Sequence, residues 1–320
     1  MMLSRRANAK INLGLRILKR LPDGYHAIET IFVELDWGDT LFAEPSKGIE
    51  IICRGIPVPA GEDNLIVRAA RRLQPEANVS RGARITLEKS IPPGGGLGGG
   101  SSDAAATLKL LSQLWSIDVG EKELIAMARS LGADVPFFLQ GGTAYATGTG
   151  DLLQPVTWAF DGWIVLFCPG WEVSTQWAYQ QWDKSKCCQV SPPDSPPVQE
   201  SPCGQASPPD SHAASEQTSA PCCQVSPPDS DRLPLSDFLD LAPGDPRFRQ
   251  HVTNDFEPIV FRQYPALKHR CNQFWETCAD YVGLSGSGSC LYGLYSDFER
   301  AAAGLEWAQS QGWACLTRRR

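Results

Sequence analysis

Residues 92–102 constrain the fold of this chain more than any other segment. They read Pro-Pro-Gly-Gly-Gly-Leu-Gly-Gly-Gly-Ser-Ser, with six glycines in the seven positions 94–100. Glycine adopts positive φ angles without strain and lets a ligand approach the backbone closely. The alternating apolar residues of 83–89 predict a strand before this loop. Apolar residues that recur on one face after it predict a helix, capped by Ser101 or Ser102.

A loop between a strand and a helix directs unpaired N–H groups and the positive end of the helix dipole at one point, which favours phosphate. Two known phosphate motifs fit this loop poorly. The dinucleotide pattern matches at Gly94, Gly96 and Gly99, but two prolines precede the glycines and no acidic residue follows at the expected distance. A Walker A loop needs a lysine that is missing here. A flexible linker would need neither the flanking strand nor the helix, so phosphate binding is still favoured. Because the loop has no lysine, the cation must come from another segment.

The N-terminal segment predicts a β-hairpin. Residues 9–17 alternate strictly between aliphatic and polar positions, and a second β-rich run follows at 28–35. The Pro-Asp-Gly sequence between the two runs predicts a turn. Tyr25 and His26 are therefore expected at the tip of the hairpin.

Two charged residues stand beside apolar neighbours. Lys10 shares one face of the first strand with Asn12. The sequence does not decide whether Lys10 is a surface lysine of an edge strand or the cation that the glycine loop lacks. Asp134 lies between Gly132, which is expected to end a helix, and Val-Pro-Phe-Phe. Carboxylates are rare in apolar settings unless they are paired or functional. The sequence does not decide whether Asp134 forms a turn or is a functional group.

The remaining patterns alternate strands and helices without the regular period of a doubly wound sheet, which favours two α+β domains. Residues 283–292 are a second segment rich in glycine and serine, and we expect them to form a second wall of one ligand site. The other predicted helices and strands lie at 65–73, 121–131, 141–149, 163–168, 255–263, 265–278, 297–310 and 313–317.

Charge and composition argue against several classes of function. The net charge of −7 argues against nucleic acid or an anionic membrane as the main partner. No apolar run is long enough to span a bilayer and the first ten residues hold no signal-peptide core, so we expect a cytoplasmic protein. Its eleven cysteines are expected to be reduced, and neither cysteine nor histidine spacing indicates a zinc site.

Residues 184–231 differ from the rest of the chain. These 48 residues hold ten prolines, ten serines and five cysteines, and the nonapeptide Cys-Cys-Gln-Val-Ser-Pro-Pro-Asp-Ser occurs twice in them. So few large apolar residues cannot offset the entropy of ordering the chain, which predicts a disordered insertion. The alternatives are a thiol segment for metal or redox chemistry, and a docking site for a proline-reading partner.

Three separated motifs resemble those of the GHMP kinases, the superfamily of galactokinase, homoserine kinase, mevalonate kinase and phosphomevalonate kinase. They are Ala-Lys-Ile-Asn-Leu at 9–13, the glycine loop at 92–102 and Leu-Ser-Gly-Ser-Gly-Ser at 284–289. Asp-Gly-Tyr-His at 23–26 and Leu-Gly-Ala-Asp-Val-Pro-Phe at 131–137 narrow the resemblance. They are similar to the branch that phosphorylates CDP-methylerythritol, a cytidine diphosphate ester, in non-mevalonate isoprenoid synthesis. The resemblance covers essentially the whole chain outside the insertion.

The resemblance implies transfer of the γ-phosphoryl group of ATP to the 2-hydroxyl of CDP-methylerythritol, with Mg²⁺ as a cofactor whose protein ligands are unknown. It implies that Asp134 takes or orients the hydroxyl proton and that Lys10 offsets negative charge. The residues that it places on the ATP phosphates are Pro92, Pro93, Gly94, Gly95, Gly96, Leu97, Gly98, Gly99, Gly100, Ser101 and Ser102. Those that it places on the cytidine substrate are Asn12, Tyr25, His26, Thr175 and Tyr179.

The implied architecture is α+β, with two GHMP-kinase-like domains and the active site in the cleft between them. The expected boundaries are 1–155 for the nucleotide-binding domain, 156–183 with 232–320 for the second domain, and 184–231 for the insertion. Two other functions remain open: another small-alcohol kinase of mevalonate or homoserine type, and a nucleotide sensor without catalysis. The aromatic hairpin tip argues against the first, and the pairing of a lysine with an aspartate argues against the second.

Overall fold

The computed structural model describes residues 1–77, 82–187 and 232–320. Its first two elements form the predicted hairpin, which is longer than the alternating sequence indicated: strand β1 is Leu3–Arg20 and β2 is His26–Ser46. The pairing register shifts at three points, and such bulges bend a strand. Residues 7–17 of β1 are buried on both faces, so the lysine and asparagine of this strand lie inside the protein.

The first sheet has the strand order β3-β4-β2-β5-β6, and β1 pairs with β2 beside that path. Its other strands are β3 (Ile49–Gly55), β4 (Gly82–Lys89), β5 (Thr143–Thr147) and β6 (Leu152–Pro155). The helices that pack on it are α1 (Leu65–Leu73), α2 (Gly99–Trp115), α3 (Glu121–Leu131) and α4 (Val135–Gln140). A short 3-10 helix, Gln74–Ala77, follows α1. Apolar side chains of these helices and of β2 and β4 share one core.

The second sheet is antiparallel, with the order β10-β7-β9-β8. Its strands are β7 (Trp163–Cys168), β8 (Tyr281–Leu284), β9 (Leu291–Tyr295) and β10 (Trp313–Thr317). The helices of this half are α5 (Thr175–Cys187), α6 (Pro246–His251), α7 (Glu257–Gln263), α8 (Pro265–Glu276) and α9 (Phe298–Gln311), with a 3-10 helix at Leu235–Phe238. Phe274 of α8 and Trp307 of α9 pack against Phe167 of β7.

A separate group of buried residues joins the two sheets. It contains Ile11 and Leu13 of β1 together with Ile164 and Leu166 of β7. Because neighbouring side chains of a strand point to opposite faces, Lys10 points away from this core. The burial of the aliphatic residues therefore determines the direction of the lysine.

Most predicted elements are present, and several have different ends. The strand expected at 141–149 is limited to Thr143–Thr147. The expected serine cap of α2 is wrong, because the helix begins at Gly99 with Gly98 as its N-cap, and Ser102 lies within the first turn. Glycine is itself an acceptable N-cap, so this helix needs no capping side chain.

Helix α5 was not predicted. It continues through Cys187, so the first four residues of the predicted insertion 184–231 are helical. The proposed disorder of the remaining residues, 188–231, concerns a segment outside the described residues.

The expectation that the cysteines are reduced is wrong for one pair. Cys168 and Cys290 form a disulfide, with their Cα atoms 4.3 Å apart. The reason lies in the register of the antiparallel strands. Phe167 of β7 pairs with Leu291 of β9, so Cys168, which follows Phe167, lies opposite Cys290, which precedes Leu291. Among the described cysteines, Cys53, Cys271, Cys278 and Cys315 are free.

Candidate active site

Two glycine-rich loops pack against each other between the sheets. The first links β4 to α2, and its Gly94, Gly96 and Gly98 have positive φ angles of 70°, 78° and 70°. The second links β8 to β9. A Cβ atom added to Gly96 would lie 2.0 Å from the carbonyl oxygen of Ser285, so the two backbones approach within a distance that only glycine allows. The structure thus brings the two predicted loops into direct contact.

Both loops also hydrogen-bond to the free edge of β1. The backbone N–H of Lys10 donates to the carbonyl oxygen of Leu97 at 3.0 Å, and that of Asn12 donates to Ser285 Oγ at 3.3 Å. Ser285 Oγ in turn donates to the carbonyl oxygen of Gly96 at 2.8 Å. An edge strand has unpaired backbone groups, and here the loops provide their partners. The polar face of β1 is therefore fixed against the first glycine loop.

Lys10 and Asp134 form an ion pair beside that loop. Lys10 Nζ lies 3.5 Å from Asp134 Oδ2, with the lysine side chain 4% exposed and the carboxylate 34% exposed. Burial lowers the pKa of the Lys10 ammonium, and the Asp134 carboxylate opposes this shift. Lys10 Nζ also donates to Asn12 Oδ1 and lies 5.1 Å from the centre of the Phe32 ring. The ammonium is held at one point, while the carboxylate keeps an open side.

The chain around Asp134 explains why the carboxylate is available. Gly132 follows the end of α3, and α4 begins at Val135 with Pro136 in its first turn, leaving a short connection between the two helices. Asp134 occupies the N-cap position of α4, but its side chain makes no capping hydrogen bond. A role in forming the turn therefore does not account for the Asp134 carboxylate. Its ionic partner is Lys10.

A second buried lysine holds the two ends of the glycine loop. Lys89 Nζ, at the end of β4, lies 2.5 Å from Asp39 Oδ2 and 2.7 Å from Asp103 Oδ2. Asp39 Oδ1 accepts hydrogen bonds from the backbone N–H groups of Ser90 and Ile91 at 2.5 and 2.8 Å, and Asp103 lies in the first turn of α2. One ammonium thus joins the residues that enter the loop to the helix that leaves it.

The aromatic side of the site lies at the hairpin turn and on α5. The rings of His26 and Tyr179 stack with centroids 4.5 Å apart, and His26 Nε2 lies 2.8 Å from Asp183 Oδ1. Trp182 packs edge-on against the same imidazole. His26 is buried, whereas Tyr25 is 65% exposed. The expectation that both residues are presented at the tip is therefore correct only for Tyr25.

Electrostatics and one hydrogen bond connect the aromatic side to the rest of the site. Burial raises the pKa of the Tyr179 hydroxyl well above its ordinary value, and the Asp134 carboxylate adds to the shift, so the two groups are close enough to interact. Thr175, the first residue of α5, shares a hydrogen bond with Ser287 of the second glycine loop at 2.9 Å. Helix α5 is therefore hydrogen-bonded to the second glycine loop, and its Tyr179 lies within electrostatic range of Asp134.

Sequence reasoning missed three parts of this arrangement. Lys89 continues the inward alternation of Ile85 and Leu87 along β4, and that pattern could have identified it as a buried lysine. Asp39 gives no comparable signal, because its partners come from distant parts of the chain. Asp183 could not be assigned either, since it lies on the helix that was not predicted.

The described residues contain no group of three or more His, Cys, Asp or Glu side chains placed to hold a metal ion. They also contain no helix of the length and hydrophobicity needed to cross a bilayer. Near the glycine loop, the oxygen atoms that could bind a metal ion include the half-buried Asp134 carboxylate and the hydroxyl of Ser102, which is buried in the first turn of α2. The Glu172 side chain lies against Gly94 at the start of the loop.

The chain is similar to known kinases over almost its whole length. Residues 64–142 match the GHMP kinases N terminal domain. The 4-diphosphocytidyl-2-C-methyl-D-erythritol kinase of Salinibacter ruber is 38% identical over 312 residues, covering 96% of this chain and 94% of the relative. That of Chloroherpeton thalassium is 38% identical over 301 residues, covering 94% of this chain and 92% of the relative.

Solved structures agree with these relatives. A crystal structure of 4-(cytidine 5'-diphospho)-2C-methyl-D-erythritol kinase has a TM-score of 0.72 and 33% identity, covering 99% of this chain and 100% of that one. The mevalonate kinase of L. major has a TM-score of 0.66 at 15% identity, with 99% of this chain and 96% of that chain covered, which shows a shared fold alone. The predicted α+β fold of the GHMP kinases is thereby confirmed.

Proposed function

This chain belongs to the 4-diphosphocytidyl-2-C-methyl-D-erythritol kinases, a family of the GHMP kinases, and on that premise we propose which of its residues transfer the γ-phosphoryl group of ATP to the 2-hydroxyl of CDP-methylerythritol. The observation that carries the proposal is the ion pair of Lys10 and Asp134 beside the glycine loop. A buried ammonium next to a half-exposed carboxylate provides both groups that transfer to an alcohol requires.

Asp134 orients the 2-hydroxyl and accepts its proton as the oxygen bonds to the γ-phosphorus. The bond from that phosphorus to the bridging oxygen breaks at the same stage, and the electron pair leaves with ADP. Lys10 places a positive charge where negative charge develops on the phosphoryl oxygens, and its burial makes this charge more effective than it would be in water. After transfer the proton passes from the exposed side of the carboxylate to solvent.

Residues 92–102 cradle the phosphates of ATP. Gly94, Gly96 and Gly98 adopt positive φ angles, so successive peptide N–H groups can turn towards one anion. The N-terminal end of α2, which starts at Gly99, adds the positive end of its dipole. The cation that the loop itself lacks comes from β1, as Lys10.

Mg²⁺ fits the oxygen donors of this site as an ion carried mainly by the nucleotide. Such ions use one or two protein oxygens together with phosphates and water, and Asp134 and Ser102 are the residues that would hold it. When bound, Mg²⁺ neutralises charge on the β- and γ-phosphate oxygens. We assign the cytoplasm as the compartment, in keeping with the charged small-molecule substrates.

The cytidine end of the acceptor binds at the aromatic side, near Asn12, Tyr25, His26, Thr175 and Tyr179. The stacked rings of His26 and Tyr179 leave no space between them for a base. Cytosine must therefore replace Tyr179 on the imidazole face, or stack on the outside with Tyr25. The hydrogen bond with Asp183 fixes the orientation of the His26 ring for hydrogen bonding to the base.

Replacing either member of the ion pair tests the proposal. Lys10→Met keeps the length of the side chain without its charge, and Asp134→Asn keeps its shape without its basicity. Each should lower kcat by about 10²–10⁴, the usual contribution of one positioned catalytic group. Lys19→Met, on the same strand, and Asp118→Asn are exposed controls that should leave kcat unchanged. A near-parental kcat in a correctly folded variant would exclude that residue from catalysis.

A further inference from the structure

A cavity of about 270 Å³ lies on the first sheet, apart from the aromatic side of the active site. Its walls come from the start of β1, the middle of α2, the end of α4 and residue 320. Four of its lining side chains are basic, Arg5, Arg6, Lys109 and Arg320, and one is acidic, Glu34. Elements from distant parts of the sequence therefore bring an excess of positive charge to one concave surface.

The single acidic side chain cannot balance four basic ones, and it also accepts hydrogen bonds from neutral groups. Glu34 Oε1 accepts a hydrogen bond from Asn8 Nδ2 at 3.0 Å, and Glu34 Oε2 accepts one from the backbone N–H of Gly142 at 2.8 Å. Arg320 Nη1 lies 3.5 Å from Glu34 Oε1. Glu34 thus neutralises at most one of the four cations.

The other three basic side chains form no ion pair within 4 Å in residues 1–77, 82–187 and 232–320. Arg5 Nε is buried without a hydrogen-bond partner among these residues. Lys109 Nζ donates to the carbonyl oxygen of Leu139, at 2.5 Å. Desolvation lowers the pKa of Lys109, and the nearby Arg5 and Arg320 lower it further, while Glu34 opposes the shift without reversing it. The cations repel one another in a partly desolvated space, and a bound anion would relieve that repulsion.

We propose that this cavity is a second binding site for a phosphate-bearing anion, beside the ATP phosphate loop, with which it shares only Ser102. Guanidinium groups match the geometry of phosphate oxygens with paired N–H donors, and Lys109 adds a point charge. The glycines of residues 94–100 do not line the cavity. Ser102 and Phe138 do, and a Cβ atom on Gly98 would lie 2.7 Å from the Phe138 ring, so an anion here would bind directly behind the loop.

Calorimetric titration with sodium pyrophosphate and, separately, inorganic phosphate tests the proposal. The protein is first saturated with a non-hydrolysable ATP analogue, so that the glycine loop is occupied. The variants are Arg5→Gln and Lys109→Gln. Arg262→Gln and Lys122→Gln remove matched surface charges outside the cavity. The melting temperature of each variant is measured first to confirm that it is folded.

We expect at least one of the two anions to bind the saturated parent protein. Arg5→Gln and Lys109→Gln should each raise its dissociation constant about 10- to 100-fold, because each removes a charge-assisted hydrogen bond, whereas the control variants should not change it. Tighter binding of pyrophosphate would identify diphosphates as the ligand class, and tighter binding of phosphate would identify the free ion. The proposal is wrong if neither anion binds the saturated protein, or if the two cavity variants bind as the parent does.

Discussion

Two lysines are buried in the first half of the chain, and their partners give them different roles. Lys10 has one carboxylate, Asp134, which is partly open to solvent, so this pair can meet a substrate. Lys89 has two carboxylates, Asp39 and Asp103, and all three side chains are buried. The two lysines thus differ in the solvent exposure of their carboxylate partners. The partner of the proposed catalytic lysine is partly exposed, whereas the partners of the lysine that holds the glycine loop in place are buried.

Tyr25, the exposed aromatic residue at the hairpin turn, is proposed to bind the cytidine end of the acceptor, and its substitution tests this role. Tyr25→Ala should raise KM for CDP-methylerythritol about 5- to 150-fold, because stacking of a base on an aromatic ring contributes about 1–3 kcal/mol. The KM for ATP should stay almost unchanged, since the phosphate loop is a separate wall of the site. Steady-state kinetics with each substrate varied in turn gives both values.

Phe298→Ala is the matched control, because Phe298 is also an exposed aromatic but lies on α9. It should change neither KM. An increase in the KM for ATP with Tyr25→Ala, or no effect on the acceptor, would contradict the assignment of Tyr25 to the cytidine end.

At the scale of elements, the first glycine loop works through its contacts with three neighbours. The edge of β1 holds its middle, the second glycine loop packs against Gly96, and the Lys89 cluster holds both ends. The sequence predicted the loop, the flanking strand and the helix, because glycine content and apolar periodicity are local signals. It could not predict the cluster at the base, because Asp39 meets Lys89 only through pairing of β2 with β4.

Gly96→Ala tests the contact between the two loops. Its φ angle of 78° would cost an alanine about 1–2 kcal/mol, and a Cβ atom would overlap the carbonyl oxygen of Ser285. The variant should unfold at lower urea concentration and have a higher KM for ATP. Gly61→Ala, where a Cβ atom meets nothing within 4 Å, should behave as the parent does. Parental stability and KM in Gly96→Ala would mean that the loops do not pack as described.

Asp103→Asn tests the Lys89 cluster through pH. Burial, against the attraction of Lys89, raises the pKa of the Asp103 carboxyl from 3.8 to about 7. A raised pKa means that the folded chain binds this proton more tightly, so the contribution to stability is present below pH about 4 and is lost as pH rises through about 7. The free energy of unfolding of the parent should therefore fall by roughly 2–4 kcal/mol relative to the variant across this range.

Urea unfolding at several pH values between those limits measures that difference, with Asp118→Asn as the exposed control. A difference between parent and Asp103→Asn that stays constant with pH would show that Asp103 does not titrate in this range.

At the scale of the whole molecule, β1 is the strand on which both halves depend. Its aliphatic face joins the core between the sheets, and its polar face carries Lys10 and Asn12. Strict alternation predicted both faces of the strand. It could not predict the burial of Lys10, because the loops that pack over its face lie more than 80 residues away in the chain. The resemblance to the GHMP kinases supplied the pairing with Asp134.

Other features depended on contacts that local patterns do not encode. Helix α5 has weak amphipathic character and was missed, although it carries Tyr179 and Asp183. The disulfide of Cys168 and Cys290 required the register of β7 and β9. The domain boundary expected at 155 stays a prediction; residue 155 is the last residue of β6, and β7 begins at Trp163.

The most direct test of the account is acceptor selectivity, because only the complete site combines the ion pair, the phosphate loop and the aromatic side. Initial rates of ADP release are measured with CDP-methylerythritol, mevalonate and homoserine over a range of concentrations. We predict that kcat/KM for CDP-methylerythritol exceeds that for either other alcohol by at least about 10³-fold, since a site built around a hydrogen-bonded base discriminates strongly against acceptors that lack it. Comparable values for mevalonate or homoserine, or ADP release that does not depend on an acceptor, would contradict the account.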